Sequence, residues 1–182
     1  MGRNLTVDGR ECRTIRVKVD PTADFRRIIH TFDAIELPKL PVEAENLKFS
    51  ILEMVNNSIR AHKERGETRE IIIDMTLMDG RLHIAVRDFG GGFDPRLLPY
   101  PLDEDPSKLD IRSPSFTAYQ ERNGYKRFGM GIYLVKKTFD NFTLVFLDNK
   151  DTPVQWDAAN VIGTLIRVDL RTLEDENDGK RE

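Results

Sequence analysis

The spacing of the hydrophobic residues changes several times along this chain, and each change marks a predicted element. Residues 14–19 alternate apolar and polar side chains, which is typical of a half-buried strand. A short helix is predicted after Pro21, because apolar residues follow it at helical spacing. The same spacing runs from about Val42 to Arg65, and Gly66 is a suitable residue for ending this long helix. The first third of the chain thus predicts one strand and two helices.

The rest of the chain is richer in predicted strands. Residues 70–78 and 81–88 predict a hairpin, since Asp79-Gly80 is a strong signal for a two-residue turn. Helical spacing returns at 131–139, and further strands are predicted at 142–147, around 154–156 and at 161–170. Strands and helices do not alternate strictly, which favours an α+β fold with helices layered on one face of a mixed sheet.

The length of 182 residues predicts one domain with a sizeable core. We assign this domain to residues 13–172, with a flexible N-terminus at 1–12 and a charged tail at 173–182. Periodicity disappears between residues 93 and 128, where five prolines stand among mixed charges. A loop of this length inside a compact domain is usually functional, so we predict a lid there, with a permanently disordered insertion as the alternative.

Composition narrows the class of protein. Hydrophobic residues make up 39% of the sequence and charged residues 32%, as in soluble globular proteins. The net charge of −3 does not favour direct nucleic-acid binding, which needs a strongly basic face. Cys12 is the single cysteine, and no apolar run approaches the ~20 residues of a membrane helix. These features predict a cytoplasmic protein that does not act in a membrane.

Three short segments, taken in their order, indicate a nucleotide site. Glu53 and Asn57 are one turn apart and therefore share a helix face. Asp88 ends a predicted strand and is followed by three glycines, which allow the backbone to approach a flat ligand. Gly129 and Gly131 open a helix that has no polar capping side chain, which leaves its N–H groups available to phosphate.

The residue types around the long helix suit a magnesium nucleotide. Mg²⁺ prefers oxygen ligands, which the Asn57 amide offers, and Glu53 is placed to orient or deprotonate a nucleophile. A solvated helix face is the alternative for this pair. Arg60, one turn further, either reaches phosphate or remains a surface arginine. Lys126 and Arg127 add positive charge just before the second glycine segment, where a γ-phosphate would lie.

The strand end at Asp88 suits the recognition of a base. A carboxylate there can accept a hydrogen bond from an exocyclic amine such as that of adenine, although an Asp-x-Gly sequence also starts an Asx turn. Gly90 and Gly92 belong to a glycine run that is longer than one turn requires. We therefore favour a close approach of ligand to this backbone.

Together these segments resemble the Bergerat ATP-binding fold of the GHKL superfamily, which includes gyrase, Hsp90, histidine kinases and MutL-like ATPases. The resemblance implies a two-layer α/β sandwich whose mixed, mostly antiparallel sheet carries helices on one face. It implies ATP and Mg²⁺ as ligands, with Asn57 on the metal and Asp88 on the adenine amino group. Thr164 matches a Gly-Thr pair that lies near adenine in that family, or is a small residue at a strand start.

The layout is closest to the anti-sigma-factor serine/threonine kinases, over roughly residues 13–170. Residues 13–35 resemble the strand and helix that precede the asparagine helix in those kinases, and residues 129–140 resemble their second glycine helix. Two features depart from the pattern. The loop at 93–128 is long, and Ser58 stands where alanine is usual.

This resemblance implies Mg²⁺-dependent phosphoryl transfer to a regulatory protein partner, of the sigma-factor or anti-sigma-antagonist type. Those kinases are commonly homodimers, and the sequence leaves the oligomeric state open. Two alternatives also stay open: a stand-alone histidine-kinase-like ATPase domain, and a non-catalytic, nucleotide-gated switch for partner binding. His30, His62 and His83 lack the sequence context of a phosphoacceptor histidine, so we expect all three to be structural.

Overall fold

The computed structural model of this protein describes residues 4–122 and 130–173, which form nine strands and four helices. The strands are β1 (Leu5–Val7), β2 (Arg10–Cys12), β3 (Thr14–Val19), β4 (Ile35–Glu36), β5 (Ile71–Met78), β6 (Arg81–Arg87), β7 (Asn141–Leu147), β8 (Pro153–Val154) and β9 (Gly163–Arg171). The helices are α1 (Phe25–Asp33), α2 (Ala44–Arg65), α3 (Pro114–Arg122) and α4 (Met130–Thr138).

The main sheet has six antiparallel strands in the order β3-β5-β6-β9-β7-β8. Strands β5 and β6 alternate buried and partly exposed residues, as expected when one face packs on the core. The predicted hairpin between them is confirmed. Asp79 and Gly80 have φ values of 52° and 67°, and a type I′ turn requires positive φ at both positions.

Helix α2 lies at the centre of the second layer. Its residues Leu47, Ile51 and Val55 are almost completely buried in a core that they share with β5, β6 and β9. Gly66 ends the helix in the left-handed conformation, as the sequence predicted, and its N–H donates to a carbonyl of the last turn. Helix α4 packs beside α2. Neither α2 nor another helix of the described ranges is both long and apolar enough to cross a membrane.

These observations confirm an α+β fold with a mostly antiparallel sheet and a helical layer, consistent with the two-layer sandwich that the resemblance implied. The site is positioned by α2 and the end of β6, which are neighbours across the core. Helix α4, which follows the 93–128 region in the sequence, packs beside α2.

The N-terminus corrects one expectation. Residues 5–12 are not a flexible segment, since β1 and β2 form a hairpin and β1 also pairs with β4 in a small second sheet. Leu5 is completely buried in the core. The turn is Asp8-Gly9, with φ values of 50° and 73°, and it uses the same dipeptide signal as Asp79-Gly80. The strands on either side are three residues long, too short to show an alternating pattern.

The described part of the 93–128 region also contains more structure than its lack of periodicity predicted. Helix α3 and two single-turn 3-10 helices lie within it. Tyr100, Phe116 and Tyr119 are buried together, and the rings of Tyr100 and Phe116 stack at a centroid distance of 6.4 Å. Asp residues precede both 3-10 turns and accept a backbone N–H, which gives each turn its own cap. The prediction of a region without elements is therefore wrong for residues 93–122.

Candidate functional site

A cavity of about 410 Å³ lies between α2, the end of β6, the start of β9 and the 93–122 segment. Five residues selected from the sequence line it: Asn57, Arg60, Asp88, Gly92 and Thr164. Its apolar lining includes Met54, Leu144 and Ile166. This size and this mixture of apolar walls with a few polar groups are typical of small-molecule sites.

The cavity contains a buried carboxylate, that of Asp88, which is 4% exposed. Its Oδ1 accepts the N–H of Gly90 at 2.8 Å. Its Oδ2 accepts the Thr164 hydroxyl, and the Ser58 hydroxyl at 3.4 Å. Burial raises the pKa of the Asp88 carboxyl above its ordinary value, and the hydrogen bonds from Thr164 and Gly90 oppose that shift. The carboxylate is thus held in one orientation by groups from three elements.

Thr164 and Ser58 therefore have roles that the sequence left open. The Thr164 hydroxyl lies on Asp88, and the Thr164 carbonyl accepts the Asp88 N–H at 3.0 Å. Ser58 is buried in α2, and its hydroxyl lies 3.1 Å from the Met54 carbonyl and 3.4 Å from Asp88 Oδ2, so that its single proton is shared between these two acceptors. An alanine at position 58 would fill the same space but would not contact the carboxylate.

The glycine run after Asp88 is explained by packing and by backbone conformation. A Cβ at Gly90 would lie against Ala61 of α2, only 2.9 Å from the Ala61 carbonyl carbon. Gly91 and Gly92 have φ values of 76° and 66°, which L side chains rarely adopt. The excess of glycine thus has structural reasons at all three positions. The close approach of ligand to Gly92, which lines the cavity, stays a prediction.

The first and third segments of the sequence pattern meet at Gly131. A Cβ at Gly131 would lie 2.8 Å from Glu53 Oε2 and 3.0 Å from Asn57 Nδ2. Both side chains are partly exposed, whereas Asn56 points to solvent, which supports the choice of Asn57 over its neighbour. Asn57 Oδ1 accepts a hydrogen bond from Arg60 Nη2 at 3.0 Å. Asn57 and Arg60 line the cavity, whereas Glu53 is not among its lining residues and lies beside Asn57 at the first turn of α4.

Three of the predicted site residues, Lys126, Arg127 and Gly129, lie outside the described residues, and their roles stay predictions. The structure adds groups that sequence reasoning missed. Leu97, Leu98, Tyr119 and Arg122 line the cavity from the 93–122 segment. For Tyr119 and Arg122, which lie on α3, the helical periodicity in the sequence was weak. The helix is only nine residues long, and its buried residues are Phe116 and Tyr119.

Lys136 of α4 is a further residue that the sequence did not indicate, and it anchors the 93–122 segment. Its Nζ donates to the Leu102 carbonyl at 2.6 Å and also to the Glu104 carbonyl. Burial lowers the pKa of the Lys136 ammonium, while nearby acidic residues of the 103–105 stretch raise it. The ammonium is therefore a fixed attachment point between α4 and the chain that covers the cavity.

We expect Lys136→Met to loosen the covering segment. The variant keeps the length of the side chain but removes both charge-assisted hydrogen bonds, so amide hydrogen exchange in residues 102–122 should rise by about tenfold or more. Lys137→Met is the matched control, since Lys137 is exposed on the same helix. Equal exchange in both variants and the wild type would show that Lys136 does not hold the segment.

The sequence matches the histidine kinase-like ATPase domain family over residues 17–154. It is also 28% identical over 99 residues to the serine-protein kinase RsbW of Bacillus licheniformis, which covers 54% of this chain and 55% of that relative. The chain thus spans about half the length of this relative. Asn57 and Asp88 of the GHKL-type pattern line one cavity, and Glu53 lies beside Asn57 at Gly131. Because the family match extends over more than half of the sequence, the chain belongs to the family of histidine kinase-like ATPase domains.

Proposed function

We propose that this chain is an ATP-dependent protein kinase of the anti-sigma-factor serine/threonine type, which transfers the γ-phosphoryl group to a regulatory protein partner. The observation that carries the proposal is the position of the Glu53 carboxylate, beside Asn57 and Gly131 at the edge of the cavity. The similarity to a serine-protein kinase supports the choice of serine or threonine as acceptor.

Adenine recognition is assigned to Asp88. A carboxylate has about four lone-pair directions, and three of those at Asp88 are used by Gly90, Thr164 and Ser58. The remaining capacity suits the adenine amino group, which is a donor. Guanine presents a carbonyl oxygen at the same position, and that acceptor would be repelled by the carboxylate. The apolar walls of the cavity suit the two faces of a purine.

The phosphate end is assigned to the surface that joins α2 and α4. The donor set fits Mg²⁺, because Asn57 offers an amide oxygen and phosphate oxygens and water would complete the shell. Bound there, the metal would neutralise charge on the phosphates. Arg60 lies 3.0 Å from the same Asn57 oxygen and adds a second positive group on the cavity side of the helix.

Glu53 is assigned as the general base. It takes the proton of the acceptor hydroxyl as that oxygen forms its bond to the γ-phosphorus. The bond between the γ-phosphorus and the bridging β,γ-oxygen breaks, and ADP leaves. A partly exposed carboxylate suits this role, because the acceptor side chain must reach it from solvent.

The assignment of Asp88 to adenine predicts that Asp88→Asn weakens ATP binding by about 1–3 kcal/mol and GTP binding by less. The reason is that a charge-assisted hydrogen bond to the adenine amino group is weakened. Titration calorimetry with both nucleotides measures this. Asp79→Asn is the control, since Asn-Gly also suits the Asp79-Gly80 turn. Unchanged ATP affinity in Asp88→Asn would remove this residue from base recognition.

The catalytic assignment predicts that Glu53→Gln keeps nucleotide affinity and lowers phosphoryl transfer by roughly 10²–10⁴-fold, the usual contribution of a general base. Glu45→Gln, an exposed residue of the same helix, should transfer at the wild-type rate.

The assay uses labelled ATP and host lysate, followed by identification of the labelled protein and of the acid stability of the label. An acid-stable label supports serine or threonine transfer, and an acid-labile one would indicate histidine. Binding without any labelled protein, in wild type and Glu53→Gln alike, would favour a nucleotide-gated switch.

A further inference from the structure

His62 is a completely buried histidine in the last turn of α2, outside the set of residues that line the cavity. Its Nε2 accepts the backbone N–H of Phe89 at 2.8 Å. Phe89 stands between Asp88 and Gly90, so this bond holds the peptide that directly follows the base-reading carboxylate. The sequence analysis expected a structural histidine at this position and did not connect it with Asp88.

The bond to His62 is one of four successive backbone bonds that fix this turn. The Asp88 N–H donates to the Thr164 carbonyl at 3.0 Å, and the Gly91 N–H donates to the Ile162 carbonyl at 3.0 Å. Between them, the Gly90 N–H donates to Asp88 Oδ1 and the Phe89 N–H donates to His62. The acceptor of the Phe89 N–H is thus an imidazole nitrogen, which accepts only when it carries no proton.

The Phe89 side chain is held on the other side of the turn. Its ring lies between two guanidinium groups, at 4.1 Å from Arg69 and 4.5 Å from Arg87, and meets the His62 ring edge at a centroid distance of 6.4 Å. These contacts limit rotation of the Phe89 peptide and keep its N–H directed at His62. His62 Nδ1 is also buried, near the backbone of Glu67. A buried polar group with this arrangement calls for a reason beyond packing.

We propose that neutral His62 is a positioning residue for nucleotide recognition: by accepting the Phe89 N–H, it holds the Asp88–Gly90 turn in the orientation that reads the base. The proposal rests on the assignment of Asp88 to adenine. Protonation of Nε2 replaces the acceptor with a donor that faces the Phe89 N–H. The two N–H groups repel, the turn shifts, and Asp88 moves with it, so affinity for adenine nucleotides falls in acid.

The surroundings of His62 favour the neutral form near pH 7. Burial lowers the pKa of the His62 imidazole; Asp88 and Glu67 act in the opposite direction, and Arg69 lowers the pKa further. These groups face it from the end of β6 and from the turn after α2. Because the His62 pKa in the folded protein lies below the ordinary value of about 6.5, the neutral form persists as the pH falls through that value. Its contribution to stability is complete above about pH 6.5 and declines below it, and the neutral arrangement itself is lost as the pH falls through the lowered pKa of the folded protein.

The test measures the affinity of a non-hydrolysable ATP analogue between pH 8 and about pH 4.5, which extends below the lowered pKa of His62, in wild type, His62→Gln and His62→Phe. Glutamine places an amide oxygen near the position of Nε2 and does not titrate, so His62→Gln should keep wild-type affinity at pH 8. Its affinity should also fall less steeply in acid, with a difference from wild type of about twofold at the pH that equals the His62 pKa and about tenfold one pH unit below it. The difference between the two profiles isolates His62, because ionisation of the ligand affects both equally.

His62→Phe keeps a ring but leaves the Phe89 N–H without an acceptor, so it should bind weakly at every pH. His83→Gln is the control for a partly exposed histidine and should follow the wild-type profile. Parallel pH profiles for wild type and His62→Gln would overturn the proposal. If His62→Gln does not fold, the wild-type protein still provides the decisive measurement by NMR.

The NMR titration follows the Phe89 amide proton and the His62 ring nitrogens without nucleotide. The amide resonance should shift together with protonation of Nε2, and an amide that does not respond would contradict the coupling. This measurement also separates the two proposals. Coupling in a protein that binds no ATP would refute the proposed function and leave the His62–Phe89 contact standing, whereas ATP binding without coupling would refute the role of His62 alone.

Discussion

The site depends on a close approach between the Asp88 turn and helix α2, where Gly90 lies against Ala61 with no room for a side chain. This contact sets the distance between the end of β6 and the helix that carries Glu53 and Asn57. It also brings the Phe89 N–H to His62 and the Asp88 carboxylate to Ser58. The start of β9 is fixed by the same turn, because a Cβ at Gly163 would overlap the Asp88 carbonyl. The end of the cavity that we assign to adenine therefore depends on two glycines at points of backbone contact.

The end of the site that we assign to the phosphates depends on a second close approach, between α2 and α4. Gly131 lets α4 come near enough for Glu53 and Asn57 to face its first turn. The 93–122 segment covers the cavity between these two ends, with its own small core around Tyr100 and Phe116 and an attachment to Lys136. An ordered cover that contributes Tyr119 and Arg122 to the cavity wall differs from a loop without structure. It gives the segment a defined position from which it can respond to a ligand.

The sequence predicted those elements whose signals are long or chemically specific. Helix α2 repeats its apolar positions over 22 residues and ends at a glycine. The dipeptide Asp79-Gly80 is typical of a type I′ turn. The Asp8-Gly9 hairpin and helix α3 were missed because their flanking segments are too short for periodicity to emerge. Asn57, Asp88 and Thr164, which were selected from the sequence for their residue types and spacing, line one cavity, and their roles toward a ligand stay predictions. The sequence did not indicate a link between His62 and Asp88, because the partner of His62 is a backbone amide 27 residues away. Every residue except proline has such an amide, so the residue type does not reveal the contact.

The central claim is that one adenine nucleotide lies between the Asp88 turn and the Glu53–Asn57 face of α2. The most direct measurement is a crystal structure of the protein grown with Mg²⁺ and a non-hydrolysable ATP analogue. The account predicts the adenine amino group within about 2.7–3.2 Å of the Asp88 carboxylate. It also predicts a metal ion about 2.0–2.1 Å from Asn57 Oδ1, with the γ-phosphate toward Glu53. A nucleotide bound in the reverse direction, or a base outside the cavity with Asp88 still held only by Gly90, Thr164 and Ser58, would contradict it.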